Sequence, residues 1–371
     1  MRIRVLGIRG LPSTYSGLET IMGELAPRWV RAGHEVIVYC RKSLFDTRPP
    51  QWNGVKLVYL PSIEHKVLST FSHSLLSIIH AATHPADIVL VWNASNGPFG
   101  WILRLAGKHA VINVDGMEWL RPKWQGFGKR YFKWTAKMAT KNYPVVITDA
   151  CEMKRLYSQE FGVDTVYIAY GANIEPSENP EVLERFGLVP RDYFLIASRL
   201  VPDNNADLIV KAFVASRSQK ILAVAGGADY KGNVLERAFI DGLKATANDR
   251  VKFLGHIDDS DVIKELHHNC YAYIHGHQFG GINPSLLKAL GYSNCVLALN
   301  TPFNAEVLEN GRYGLLFEKN VDDLREKIEF LEANPEVAEE FRKRATEPIR
   351  DRFNWDLIAN QYLRLFDEIS R

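Results

Sequence analysis

Cysteine is scarce in this 371-residue chain, and its four copies, Cys40, Cys151, Cys270 and Cys295, lie far apart and form no CxxC pair. That excludes a disulfide framework and a clustered-thiol zinc site, and predicts buried thiols in a reducing compartment. Long apolar runs are missing as well. No stretch approaches the roughly 18 apolar residues of a membrane span, and the opening MRIRVLGIRG has no apolar segment ahead of a small-residue cleavage site. A soluble, cytoplasmic protein is the expectation. Neither sign of charge is in excess: 45 Lys and Arg stand against 43 Asp and Glu, a formal net charge of +2. A globally basic nucleic-acid binder is therefore excluded, and only local basic patches remain open. Neither GxGxxG nor GxxxxGK[ST] occurs, which removes the dinucleotide fingerprint and the P-loop.

What is present is ordinary globular composition, 46% hydrophobic and 24% charged, on a chain long enough for two domains. Short apolar, β-branched runs recur with room for a helix between them: Ile3 to Leu6, His34 to Cys40, Lys56 to Pro61, Ala86 to Asn93, His109 to Asp115 and Pro144 to Asp149. The stretch Ile174 to Pro180 has no period and is rich in Pro, Ser, Asn and Glu, as a linker would be. The alternation then restarts at Tyr193 to Ser198, Lys220 to Gly227, Val251 to His256, Tyr271 to Gly276 and Cys295 to Asn300. Continuous apolar strands alternating with helices predict parallel sheets covered on both faces. The expected plan is α/β: a Rossmann-like domain over 1–173, a linker over 174–190, a second doubly wound domain over 191–350, and an amphipathic C-terminal helix over 351–371 packing back on the first domain. Two such domains imply a ligand cleft facing the carboxyl ends of both sheets.

The strand-end loops carry the chemistry. After the first strand, Gly7, Gly10 and Gly17 stand ahead of a helix, where free N–H groups can face an anion, although a plain tight turn explains them equally well. In His275-Gly-His-Gln-Phe-Gly-Gly-Ile-Asn-Pro-Ser, Asn283 reads as an N-cap and Pro284 as the first helical residue, with Gly280 and Gly281 leaving backbone open to a phosphate. Arg199 closes the first strand of the second half, where a guanidinium could grip phosphate oxygens or simply form a surface ion pair. Asp258 to Asp261 read as a helix cap rather than a metal site.

Taken in order, Gly7 to Thr20, Asn113 to Trp124, Tyr167 to Asn173, Ser198 to Asn205 and His275 to Leu290 resemble glycosyltransferase family 4, of GT-B fold, and above all the bacterial rhamnosyltransferases of capsule and cell-wall polysaccharide assembly. The resemblance covers nearly the whole chain. It implies a nucleoside-diphosphate sugar as donor, a lipid-linked or oligosaccharide acceptor, retention of anomeric configuration, and neither metal nor cofactor. It places Gly10, Gly17, Arg199, His256, Gln278, Gly280, Gly281, Asn283 and Lys288 around the nucleotide sugar, and Asp115 beside the reacting sugar, with Arg199 sharing the catalytic work. Two positions depart from the pattern. Where these rhamnosyltransferases carry acids, the chain has Gln278 and Lys288, and a lysine cannot accept the ribose hydrogen bonds an acid accepts. A differently held or more anionic donor, a catalytically silent binding subunit, and a GT-B-like sugar-nucleotide epimerase all stay open.

One further stretch stands out. From Leu120 to Lys141, basic residues alternate with Trp124, Phe127, Tyr131, Phe132 and Trp134, with no acid among them. Such a segment suits peripheral contact with an anionic membrane at its inner, cytoplasmic face, or a solvated helix face.

Overall fold

The computed structural model describes residues 1–12, 17–65, 68–121, 124–227 and 234–370, apart from the side chains of 234–236. The chain forms two compact units, Met1–Gly171 with Trp355–Arg371, and Ala172–Asn354.

The first unit is built on β1 (Arg2–Leu6), β2 (Glu35–Arg41), β3 (Gln51–Trp52), β4 (Val55–Leu60), β5 (Ile88–Trp92), β6 (Ala110–Asn113), β7 (Val145–Thr148) and β8 (Val166–Tyr167). They lie in the order β3-β4-β2-β1-β5-β6-β7-β8, parallel throughout except for the β3–β4 hairpin. β5 shows why its sequence is apolar at every position: all five residues are buried, so neither face can carry a polar side chain. Its helices are α1 (Gly17–Arg31), α2 (Leu68–Thr83), α3 (Gly100–Leu105), α4 (Phe127–Asn142) and α5 (Cys151–Phe161). Right-handed crossovers put α2, α3 and α4 side by side on one face of the sheet and α1 on the other. Three of the cysteines are buried as expected, but Cys151, at the start of α5, is exposed.

The second unit carries β9 (Tyr193–Ala197), β10 (Ile221–Ala225), β11 (Val251–Gly255), β12 (Ala272–His275), β13 (Val296–Leu299) and β14 (Leu315–Phe317), all parallel in the order β11-β10-β9-β12-β13-β14. Around them run α6 (Ala206–Ala215), α7 (Val234–Thr246), α8 (Ser260–Asn269), α9 (Pro284–Gly291), α10 (Pro302–Val307), α11 (Val321–Ala333), α12 (Pro335–Arg344) and α13 (Glu347–Asp351). Phe194, Phe213, Leu222, Ile274, Leu297 and Phe317 lie in its core. The segment read as a linker is fastened to α8. Glu265 accepts bonds from the Ser177 hydroxyl and from the N–H groups of Glu178 and Asn179, and Val182 and Leu183 are buried. One buried carboxylate thus gives that aperiodic stretch a fixed path. Asp259 caps α8 through its own side chain, as the acidic run predicts.

The last helix, α14 (Trp355–Ser370), belongs to the first unit. Ile358, Ala359, Tyr362, Leu365 and Phe366 recur at helical spacing and are buried. Trp29 of α1 meets Tyr362 and Phe366 edge-on at 5.7 and 5.6 Å, and its indole N–H donates to the Ala359 carbonyl at 3.2 Å. Phe366→Ala should therefore cost about 3–5 kcal/mol, whereas Arg364→Ala on the exposed side should stay within about 0.5 kcal/mol. Thermal unfolding of both variants checks this, and equal effects would show that α14 is not part of the core.

Candidate functional site

In each sheet the parallel strands send their carboxyl ends to one edge, and the polar residues collect in the loops beyond it. In the first unit, Gly10 is buried at φ 135°, and a Cβ there would come within 2.8 Å of the Cys40 sulfur. Close approach of β2 is thus sufficient reason for glycine at this position. Gly17, the first residue of α1, instead faces open space where a side chain would be. Residues 13–16 between them lie outside the described residues.

Glu19, in the first turn of α1, is a residue the sequence reading missed. It is 3% exposed, its Oε1 accepts the Arg9 N–H at 2.5 Å, and its Oε2 has no hydrogen-bond partner among the described residues. Burial pushes its pKa up, opposed by that backbone bond and by the Arg9 and Arg41 charges. An acid at the third helical position was the available signal.

Asp115 follows β6 at φ 44°, the left-handed region that side-chain-bearing residues seldom occupy. Its N–H donates to the Asn113 carboxamide at 3.0 Å, and its carboxylate accepts the Tyr170 hydroxyl at 3.1 Å. Asn113 in turn donates to the Tyr362 hydroxyl of α14 at 2.8 Å. The short helical turn that follows, Glu118–Leu120, has no side-chain cap. Burial raises its pKa to about 6; the Tyr170 bond and Arg121 oppose this, whereas Glu118 and Glu19 reinforce it. The result is a carboxyl poised near neutrality, the range that suits a general base. Tyr170 holds it directly and Tyr362 through Asn113, and neither was singled out from sequence.

In the second unit, Arg199 is exposed just past β9. Asn204 donates to the Arg199 carbonyl at 2.8 Å and braces the loop after β9, and Asn205 donates to the Gly276 carbonyl at 2.8 Å and ties that loop to the loop after β12. The Gln278 N–H reaches the Asp203 carbonyl, and Asn304 donates to the His277 carbonyl at 3.1 Å, completing the frame. His275 is fully buried beneath it, with its Nδ1 3.0 Å from the Tyr273 hydroxyl and its ring stacked 4.4 Å from that of His277. Gly280 holds φ 131° with open space on its side-chain face, and Gly281 follows it, half-buried. Asn283 accepts the Ser285 N–H at 2.9 Å and Pro284 opens α9, as the sequence predicts.

The remaining expected residues are more divided. His256, exposed after β11, has its Nε2 2.8 Å from Asp258, so its ring is engaged locally. Gln278 accepts from Lys319 at 2.6 Å, a contact spanning 41 residues that no local pattern announces. Lys288 is exposed on α9. Among the described residues, no carboxylate pairs with Arg199 or Lys288, and no cluster of three or more His, Cys, Asp or Glu is placed to hold a metal.

Two units of this kind define the GT-B fold. Similar solved structures include sucrose-phosphate synthase from Thermosynechococcus elongatus, at TM-score 0.84 and 18% identity over 99% of this chain and 98% of that one. Anabaena HepE in complex with UDP and glucose follows at TM-score 0.80 and 17% identity, over 99% of this chain and 100% of that one. Residues 182–347 match the family Glycosyl transferases group 1, and residues 1–173 match a domain of unknown function, DUF1972. The match to group 1 glycosyl transferases thus lies within the second unit. Alpha-maltose-1-phosphate synthase of Mycolicibacterium smegmatis is 23% identical over 323 residues, which is 77% of this chain and 82% of that protein.

The Asp115 environment makes a signed prediction. A carboxyl raised from 3.8 to about 6 in the folded state favours folding while protonated and loses that contribution as pH rises through this window. Asn carries no charge and tolerates positive φ, so Asp115→Asn should be more stable than wild type by about 1–3 kcal/mol at pH 7.5, with the difference vanishing near pH 4. Denaturant unfolding across that range checks it; a wild type that gains on the variant as pH rises would overturn the assignment.

Proposed function

We propose that the protein is a retaining, metal-independent glycosyltransferase that moves a sugar from a nucleoside diphosphate to a hydroxyl of a lipid-linked glycan or oligosaccharide in polysaccharide assembly. It works at the cytoplasmic face of a membrane, with residues 120–141 of the first unit meeting the lipid, and rhamnose is the first sugar to test. The observation that carries the reading is the loop after β12: Gly280 has open space on its side-chain face and Gly281 follows it, so a phosphate could approach the backbone there, and among the described residues Arg199 and Lys288 have no carboxylate partner. Leaving-group charge is then met by fixed donors rather than by a metal. The acceptor oxygen bonds to the anomeric carbon, the carbon–phosphate-oxygen bond breaks with its electron pair going to the diphosphate, and Asp115 takes the hydroxyl proton. HepE holds UDP and glucose in its solved structure, which supports the nucleoside-diphosphate class of donor.

Arg199→Ala should weaken nucleoside-diphosphate binding by about 1.5–3 kcal/mol and leave nucleoside binding nearly unchanged. Titration calorimetry with both ligands tests this, and equal losses would take Arg199 out of the site. Lys288→Glu should lower diphosphate affinity about tenfold, because it replaces a donor and cation by an anion; tighter binding would assign the lysine to a lapsed site. With donor and acceptor together, nucleoside diphosphate should be released while the glycan grows by one sugar. Conversion of the donor to an epimeric sugar nucleotide with no net release would point to the epimerase alternative, and binding with no turnover to a silent subunit.

A further inference from the structure

We infer that α2, α3 and α4 form one membrane-docking face, with a phosphate-headgroup pocket between Arg104, Lys108 and Lys141. Fifteen large apolar side chains are exposed among the described residues, and nine of them fall between Leu68 and Trp134, about a fifth of the chain. Phe71 and Ile79 on α2, Trp101 and Leu105 on α3, and Phe127 and Trp134 on α4 are each at least 45% exposed, Phe127 reaching 84%. The three helices are neighbours on the same side of the first sheet, and the Phe71 ring meets Phe99, at the entry to α3, at 4.9 Å. They contain no Asp or Glu, in a chain that has 43 of them.

The charges point to the occupant. Arg104, Lys108 and Lys141 line one shallow cavity with Asn142 and the buried Tyr143, and no acid lines it. Lys108 already donates to the His84 carbonyl at 2.8 Å, which fixes it there, whereas Arg104 and Lys141 have no carboxylate partner among the described residues. Lys129, Arg130 and Lys137 continue the basic rim along α4, while Lys133 is neutralised by Glu160 and Arg121 sits 2.9 Å from Glu118. Exposed indoles and phenyl rings beside uncompensated cations match an interface whose headgroups are anionic and whose interior is apolar. A second copy docked face to face would set these same cations against one another.

This deepens the membrane contact proposed above by adding α2 and α3, and it is tested without any glycan. Purified full-length protein is mixed with vesicles of phosphatidylcholine, with or without phosphatidylglycerol, and bound protein is separated by sedimentation. Wild type should bind only the anionic vesicles, more weakly as salt rises. Trp101→Ser with Leu105→Ser, and separately Arg104→Gln with Lys141→Gln, should each lower partitioning by about tenfold at an unchanged melting temperature. No binding by wild type at low salt, or variants that bind as wild type does, would overturn the proposal. So would a wild-type dimer that Leu105→Arg splits and that ignores vesicles. Transfer to a soluble oligosaccharide should be the same in all variants; its absence from wild type with vesicle binding intact would instead remove the sugar-transfer reading.

Discussion

A parallel strand covered by helices on both faces has its backbone paired and its side chains in a dry interior, so an unpaired polar side chain placed along it would be costly. The cheap position is the end of the strand. β5 obeys this with five consecutive buried apolar residues, and the polar Asn93 appears as soon as it stops. β6 runs apolar until Asn113 and Asp115, β9 until Ser198 and Arg199, and β12 until His275. The chemistry sits at one edge of each sheet because the core leaves it no other place.

Holding those loops in position falls largely to neutral amides. Asn113, Asn204, Asn205 and Asn304 each donate a side-chain N–H across the loop cluster, three of them to backbone carbonyls. A carboxamide satisfies a buried carbonyl without adding charge. The scaffolding therefore adds no charge of its own near Arg199 and Lys288, neither of which has a carboxylate partner among the described residues. Lysine at the place of Asn205 would add cationic charge but give up the bridge between the loops after β9 and β12.

Much of this plan was legible in the sequence because it rests on local regularities. Continuous apolar runs marked the strands, Asn283 and Pro284 marked the start of α9, and the period of Trp355 to Ile369 marked the last helix. What stayed hidden depends on contacts far apart in the chain. Tyr170 reaches Asp115 across 55 residues and Tyr362 reaches Asn113 across 249, and no spacing rule ties such pairs. The stretch after Asn173 looks unstructured by composition yet is fixed by Glu265, some 86 to 88 residues away. Gly10 is the reverse case. A glycine that could face a ligand is one that contact with Cys40 requires in any event.

The balance between an active and a silent protein can be argued from what Asp115 costs the fold. Its backbone is in a strained region, worth on the order of 1–3 kcal/mol, and burial works against its ionised form. Asn would relieve both at no loss of volume, and would still offer an oxygen to the Tyr170 hydroxyl. The same surroundings then hold this costly carboxyl firmly in place, through Tyr170, Asn113 and the backbone N–H of Asp115 itself. Strain and an unfavourable charge kept in one fixed orientation have a physical use only where a proton or a hydroxyl is to be handled. Loss of turnover, if it had followed from Gln278 and Lys288, would leave the Asp115 arrangement as a pure liability. That asymmetry supports the proposed transfer reaction over a silent subunit.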